Sequence, residues 1–170
     1  MFELSEKQIA DFYYRSYTAV DGLWFMKVEE KYGFDKALET DNAVWKVLPK
    51  IQARMLKSMS KMGSGMEALY QCFTAKLNLD GFSFKAERSE GCGGFRIIVE
   101  RCPWHDLMVK SGRESLSEKV GSLICDTEYS VWASEFGDDI RFELQNRICK
   151  GSESCILQFG HNPSPPAFSK

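Results

Sequence analysis

The chain reads as an α+β fold, with N-terminal helices packed with a C-terminal ββαββ unit whose four strands form an antiparallel sheet. Two observations predict this. Apolar residues recur at helical spacing through residues 1–78, and after Asn78-Leu79-Asp80-Gly81 they switch to the alternation of strands. One long helical pattern then separates two pairs of alternating segments, which places a helix on one face of the sheet. With 170 residues, 44% hydrophobic and 27% charged, the composition is that of a globular chain and excludes a disordered one.

In the helical half, residues 1–78, Ser5 and Gln8 fit a capping box that opens a helix carrying Ile9, Phe12, Tyr13 and Tyr17. Trp24, Val28 and Tyr32 lie at i, i+4 and i+8 and predict a second helix over 21–32, with Gly33 as its left-handed stop. Asp35 is placed to cap a third helix bearing Leu38, Val44 and Trp45. Pro49, which has no amide to donate, kinks that helix or starts a new one over 50–62. Gly63-Ser64-Gly65 interrupts the pattern before a helix over 66–77.

The second half, residues 79–160, begins with Phe82, Phe84 and Ala86 alternating with polar neighbours. Gly91-Cys92-Gly93-Gly94 turns the chain into Phe95, Ile97 and Val99, a hairpin that ends at Cys102-Pro103. Ser115 and Glu118 form a second capping box, and the helix they open runs to about Phe136, with Gly137 ending it. Leu116, Val120, Leu123, Ile124 and Val131 are its expected packing stripe, and Cys125, Glu128 and Trp132 share a neighbouring face. Ile140, Phe142 and Leu144 mark a third strand, ended by Cys149. Cys155, Leu157 and Phe159 mark a fourth after a turn over 150–154. The tail, 161–170, holds Pro163, Pro165 and Pro166 and is expected to be extended.

Charge and targeting signals narrow the function classes. Twenty-two basic against 24 acidic residues leave a net charge of −2, which argues against a nucleic-acid partner. The first residues hold no basic segment followed by an apolar run, and no stretch nears the roughly 18 apolar residues that span a bilayer. A cytoplasmic protein with no membrane partner and reduced thiols is the expectation.

Chemistry therefore concentrates on the six cysteines. Cys102, Cys125, Cys149 and Cys155 sit at or near element ends, and His105 follows Cys102 at a C-x-x-H spacing. Thiolate and imidazole together suit a Zn²⁺ or Fe²⁺ ion, so Cys102, Cys125, Cys155, His105 and Cys149 are the candidate metal ligands. Strand parity puts Cys155 on the inward face with Leu157 and Phe159, and turns Cys149 outward or into the turn. Glu128 near Cys125 offers a general base or a ligand, or else a solvated edge residue; Asp126 has the same two readings. Trp104 and Trp132 are candidate walls of a ligand pocket.

Three segments carry a resemblance: Cys102-Pro103-Trp104, Leu123-Ile124-Cys125-Asp126, and Phe142 to Gly151 with Cys155. Over roughly residues 95–160 they resemble the L-2-amino-thiazoline-4-carboxylic acid hydrolase-like family. The layout is more distantly similar to vinyl-reductase-type small-molecule-binding domains. The helical half, with Asp21-Gly22-Leu23-Trp24-Phe25 and Gly33 to Leu38, looks like an uncharacterised prokaryotic family related to that hydrolase group. The resemblance implies a hydrolase that opens a thiazoline ring by adding water. In it Cys102, Cys125 and Cys155 would act as nucleophile or as ligands of a water-activating metal, and Asp126 would match the acidic position. The sequence departs from the pattern at Cys149 and at Trp104-His105, which tilts the site toward metal.

Two further patterns have blander readings. Lys46, Lys50, Arg54, Lys57 and Lys61 form a basic stripe, either a solvated helix face or a contact for an acidic partner. Met55, Met59, Met62 and Met66 form a stripe that suits adaptable core or homo-oligomer contact. The sequence thus predicts a small-molecule-binding protein with a cysteine-based site, hydrolytic on carbon–nitrogen bonds. The alternative is a non-catalytic module sensing a metal, an oxidant or a ligand.

Overall fold

Residues 2–89 and 93–161 are described by the structure, a computed structural model. Among them the chain forms six α-helices, four strands and one short 3₁₀ turn. They divide into two compact units, Met1–Val44 and Trp45–Lys170.

The first unit is built on α1 (Glu6–Tyr32), opened by the capping box that Ser5 and Gln8 make. The Gln8 amide donates to Ser5 Oγ at 3.3 Å, and the Ser5 amide donates to Gln8 Oε1 at 2.9 Å. The break expected before Asp21 does not occur, and α1 runs unbroken for 27 residues. An interior glycine costs a helix only about 1 kcal/mol, so Gly22 weakens the helix without ending it. Gly33 ends it at φ +86 and ψ 163, a positive-φ conformation outside the expected left-handed well. The Phe34 ring that opens α2 (Phe34–Trp45) meets Phe25 edge-on, 5.9 Å between centroids.

In the second unit α3 (Leu48–Ser60) carries Pro49 in its first turn, where a missing amide is harmless. A short break leads to α4 (Met66–Leu79). Strands β1 (Ser83–Arg88), β2 (Phe95–Arg101), β3 (Ile140–Gln145) and β4 (Cys155–His161) form one antiparallel sheet in the order β1-β2-β4-β3. Of the turn expected over 91–94, residues 91 and 92 lie outside the described residues, as does the tail from 162. Gly94 is constrained by its neighbour: a Cβ there would stand 2.4 Å from the Phe159 carbonyl oxygen.

Several local expectations are corrected. Between β2 and β3 lie two helices, α5 (Pro103–Lys110) and α6 (Glu114–Ser134), so the order is ββααββ. Cys102-Pro103, expected only to end a strand, also starts a helix, because proline's fixed φ suits a first turn. The second capping box does not form: α6 starts beyond Arg113, which makes no side-chain cap, and Ser115 lies inside the helix. The helix ends at Ser134 with Glu135 as its cap rather than Gly137. Cys149 does not end β3, which stops at Gln145; Cys149 sits in the 3₁₀ turn Ile148–Lys150.

The core lies between one sheet face and the helices α4 and α6. Phe95, Ile97 and Val99 on β2 pair with Phe159, Leu157 and Cys155 on β4, so one face carries all six side chains. Phe73 of α4 is fully buried and meets Tyr129, Trp132 and Phe159 edge-on at 5.4, 5.6 and 5.0 Å. Phe95 stacks on Phe159 at 4.7 Å. From outside, α3 ties into this layer through its basic stripe. Arg54 donates to both oxygens of Glu135 at 2.8 and 2.9 Å, and Lys57 donates to the Glu135 carbonyl at 2.7 Å. Two of the five basic residues therefore serve the C-terminal end of α6, where cations complement the helix dipole.

Phe73 joins α4 to both α6 and β4, and its truncation leaves a cavity that cannot collapse. Phe73→Ala is expected to lower unfolding free energy by about 3–5 kcal/mol, measured by urea denaturation followed by circular dichroism.

Candidate functional site

The site is built around α6, whose inward face is not the one its apolar residues predict. Ser117, Ile124, Glu128, Tyr129, Trp132 and Ala133 are buried, whereas Leu123, expected inside, is exposed. The helix is rotated so that Cys125, Glu128 and Trp132 point into the unit. The cause lies on α4. Lys76 is 3% exposed and donates to Glu128 Oε1, and Asp80 lies 3.0 Å from the same ammonium. Burial pulls the Lys76 ammonium toward its neutral form, but the Glu128 and Asp80 carboxylates outweigh it and hold Lys76 above its ordinary value. The rings of Phe73, Phe82 and Tyr129 surround the ammonium at 6.0, 5.6 and 5.4 Å. Glu128 is thus a paired core charge, not a solvated edge residue.

Thiols from three elements lie within electrostatic range of one another, and two of them, Cys102 and Cys125, within range of Glu128 as well. Cys102 lies between β2 and α5, Cys125 on α6, and Cys155 at the start of β4 opposite Val99. They are close enough for charge on one to be felt at the next: Cys125 feels Cys102, Glu128, Cys155 and Cys149, and Cys102 feels Cys155 and Glu128. Burial pushes the Cys102 thiol up to about 11, against the pull of the Trp104 and His105 backbone N–H groups that face it. Cys125 is raised well above the ordinary thiol value, first by burial and then by the neighbouring acidic groups Cys102 and Glu128. Burial also raises Cys155, against the Ile148 N–H that donates to its sulfur at 3.2 Å. All three are therefore neutral thiols at neutral pH rather than thiolates.

The remaining predicted residues are placed as follows. Cys149 is half-buried, with its sulfur 3.0 Å from where a Gly121 Cβ would stand. His105 turns its Nδ1 to the Ser117 hydroxyl at 2.8 Å. Asp126 receives both of its bonds from Arg147 Nη2, each 2.8 Å, while Arg147 Nη1 donates to the Gly121 carbonyl at 3.3 Å. Asp126 thereby anchors the turn before β4, and the carboxylate whose charge reaches Cys102 and Cys125 is Glu128. Trp132 is fully buried and stacks on Phe136 at 6.1 Å, as part of the core. Trp104 meets Trp45 edge-on at 6.1 Å.

The expected Zn or Fe ion finds no ready cage: among the described residues, no three His, Cys, Asp or Glu side chains are arranged to hold a metal ion. A shallow surface depression lined by Ser115, Leu116, Glu118, Lys119, Ser122 and Leu123 includes none of the thiols.

Sequence reasoning missed Lys76, Asp80 and Tyr129. A signal was present. Leu69, Cys72, Phe73 and Lys76 lie at i, i+3, i+4 and i+7, so Lys76 is a lone charge in an otherwise apolar stripe.

Two expected outcomes follow from this geometry. Glu128→Gln leaves a buried ammonium with Asp80 as its sole remaining carboxylate and is expected to destabilise by about 3–5 kcal/mol in guanidinium unfolding. The double variant Lys76→Met/Glu128→Leu removes the pair, leaves the Asp80 carboxylate without its cation, and is expected to recover part of that loss. Stability also depends on pH in one direction. Groups raised in the folded state stabilise below their ordinary value, and that contribution disappears as pH rises through the folded value. The urea midpoint is expected to hold from pH 7 to about 8.5 and to fall as pH climbs from the ordinary thiol value of 9.0 through about 11, with a shallower slope in Cys102→Ala.

A family model described as a family of unknown function (DUF6125) matches residues 3–150, from the start of the chain through the 3₁₀ turn and short of β4. No curated protein and no solved structure gives a significant match. With the model matched over most of its length, the chain belongs to the DUF6125 family.

Proposed function

We propose that this chain is a small-molecule-binding protein whose ligand is held at Cys102, Cys125, Cys155 and Glu128, and that the site hydrolyses carbon–nitrogen bonds. One observation carries the reading: Cys102 and Cys125, from separate elements, lie within reach of the charge of a carboxylate that is itself buried and ion-paired, and Cys155 lies within reach of those two thiols. Isolated core thiols are common, but a charged pair inside an apolar core is costly and marks a place where polar chemistry is kept out of water. The hydrolase-like resemblance falls on the same cysteines and supplies the reaction class. A reducing, cytoplasmic setting keeps such thiols free; Cys72, Cys102, Cys125, Cys149 and Cys155 are unbridged. No helix among the described residues is long and apolar enough to cross a membrane.

Neutral thiols set a condition on the mechanism. A cysteine nucleophile must first lose its proton, and the neighbouring Glu128 carboxylate opposes a second negative charge. Ligand binding that shields Glu128 would lower that barrier. The same neutrality weighs against the sensing alternative, since oxidant-responsive cysteines are exposed and readily ionised.

The test is titration calorimetry and product analysis with 2-amino-thiazoline-4-carboxylate. Wild type is expected to bind and hydrolyse it, and Cys102→Ser, Cys125→Ser and Cys155→Ser each to lose at least about tenfold in turnover. Binding unchanged in all three variants overturns the site. Retention of a stoichiometric Zn or Fe ion by wild type, lost in the three variants, moves the reading to the metal-sensing alternative. Iodoacetamide supplies an independent check: at pH 7.5 Cys149 should be alkylated before Cys102, Cys125 or Cys155, as followed by mass spectrometry.

A further inference from the structure

The first unit exposes an apolar stripe that water does not suit. Ile9, Phe12, Tyr13, Val20, Leu23 and Trp24 on α1 are each between 41% and 69% exposed. At 3.6 residues per turn all six fall within about 60° of one line along the helix, together with Ser16, Glu6 and Lys27. The half-buried residues Tyr14, Thr18, Asp21 and Phe25 occupy the opposite side, and Ser16, on the stripe, is half-buried too. Six large apolar side chains in one row, three of them aromatic, form a larger patch than scattered surface leucines and mark an interaction surface.

We infer that this stripe is covered by a second copy of the chain, through antiparallel pairing of two α1 helices about a twofold axis. Three features select that occupant. The stripe is nearly symmetric about its centre, so antiparallel packing sets Ile9 against Trp24 and Tyr13 against Val20, with the small Ser16 at the point of closest approach. The same register sets Glu6 of one copy beside Lys27 of the other, twice. Lys27 is now paired with Glu30 at 2.6 Å on the open surface, a contact it can exchange at little cost. Parallel packing would instead place Glu6 beside Glu6 and Lys27 beside Lys27. Covering the six side chains removes on the order of 600 Å² per copy, about 1,200 Å² for the pair, which reaches the lower bound for a specific interface. A membrane surface fits less well, since α1 carries Glu6, Asp11, Asp21, Glu29 and Glu30 against Lys7, Arg15, Lys27 and Lys31 and lacks the basic excess that anionic lipid attracts.

The experiment uses the full chain. Sedimentation velocity is expected to show a reversible dimer, and Leu23→Glu is expected to raise its dissociation constant at least about tenfold with the far-ultraviolet spectrum unchanged. If Leu23→Glu perturbs folding, Val20→Lys serves the same purpose. Oxidation of Ser16→Cys should then give a covalent dimer in excess of wild type, while Lys27→Cys, roughly 30 Å from its symmetry mate in this register, should not. A monomer at about 100 μM, no cross-link from Ser16→Cys, or equal cross-linking from Lys27→Cys overturns the proposal. So does sedimentation with phosphatidylcholine vesicles in the absence of self-association.

Discussion

Glu128 and Lys76 stand 52 positions apart in the chain and meet between α4 and α6, under the sheet. Much of the second unit is arranged around that contact. A carboxylate and an ammonium removed from water lose several kcal/mol of hydration each, and only mutual attraction and further partners make the burial tolerable. Asp80, one turn beyond Lys76, and the ring faces of Phe73, Phe82 and Tyr129 supply those partners. With Lys76 facing the core on α4, α6 must turn the face bearing Glu128 toward it. That rotation carries Cys125 inward and Leu123 out to solvent.

The thiol cluster follows from the same rotation. Cys102 reaches the site because β2 ends there and α5 begins, and Cys155 because β4 enters the sheet opposite Val99. Burial and the Glu128 charge act on the Cys102 and Cys125 sulfurs in the same sense and keep them protonated, and burial does so for Cys155. A charged pair and a set of neutral thiols therefore share one desolvated region, each shaping the other's ionisation. The two halves of that arrangement differ: the ion pair orients the helices, and under the proposed function the thiols are the groups a ligand engages.

The two units meet their apolar surface differently. In the second, aromatic rings close on one another between sheet and helices until Phe73, Phe95, Trp132, Phe136 and Phe159 are sealed from water. In the first, α1 has aromatic residues on both sides and buries none of its residues. A helix of that kind draws little stability from its own chain and looks to other surfaces for the rest.

What the sequence determined by itself was what neighbouring residues decide among themselves. The Ser5–Gln8 box, the Pro49 start of α3, the alternation of β2 and β4 and the inward side of Cys155 all rest on contacts within a few positions, or on the two-residue pleat of a strand. The tertiary structure decided the rest. Local spacing at Asp21-Gly22 carries a weak stop signal, which an unbroken hydrogen-bond ladder overrides. Asp126 has a partner that spacing does not show: Arg147, brought back by the turn before β4, engages both its oxygens. The phase of α6 was hidden for a related reason: whether a glutamate faces solvent or core depends on a counter-ion, and hydrophobic periodicity cannot register a lysine on another helix.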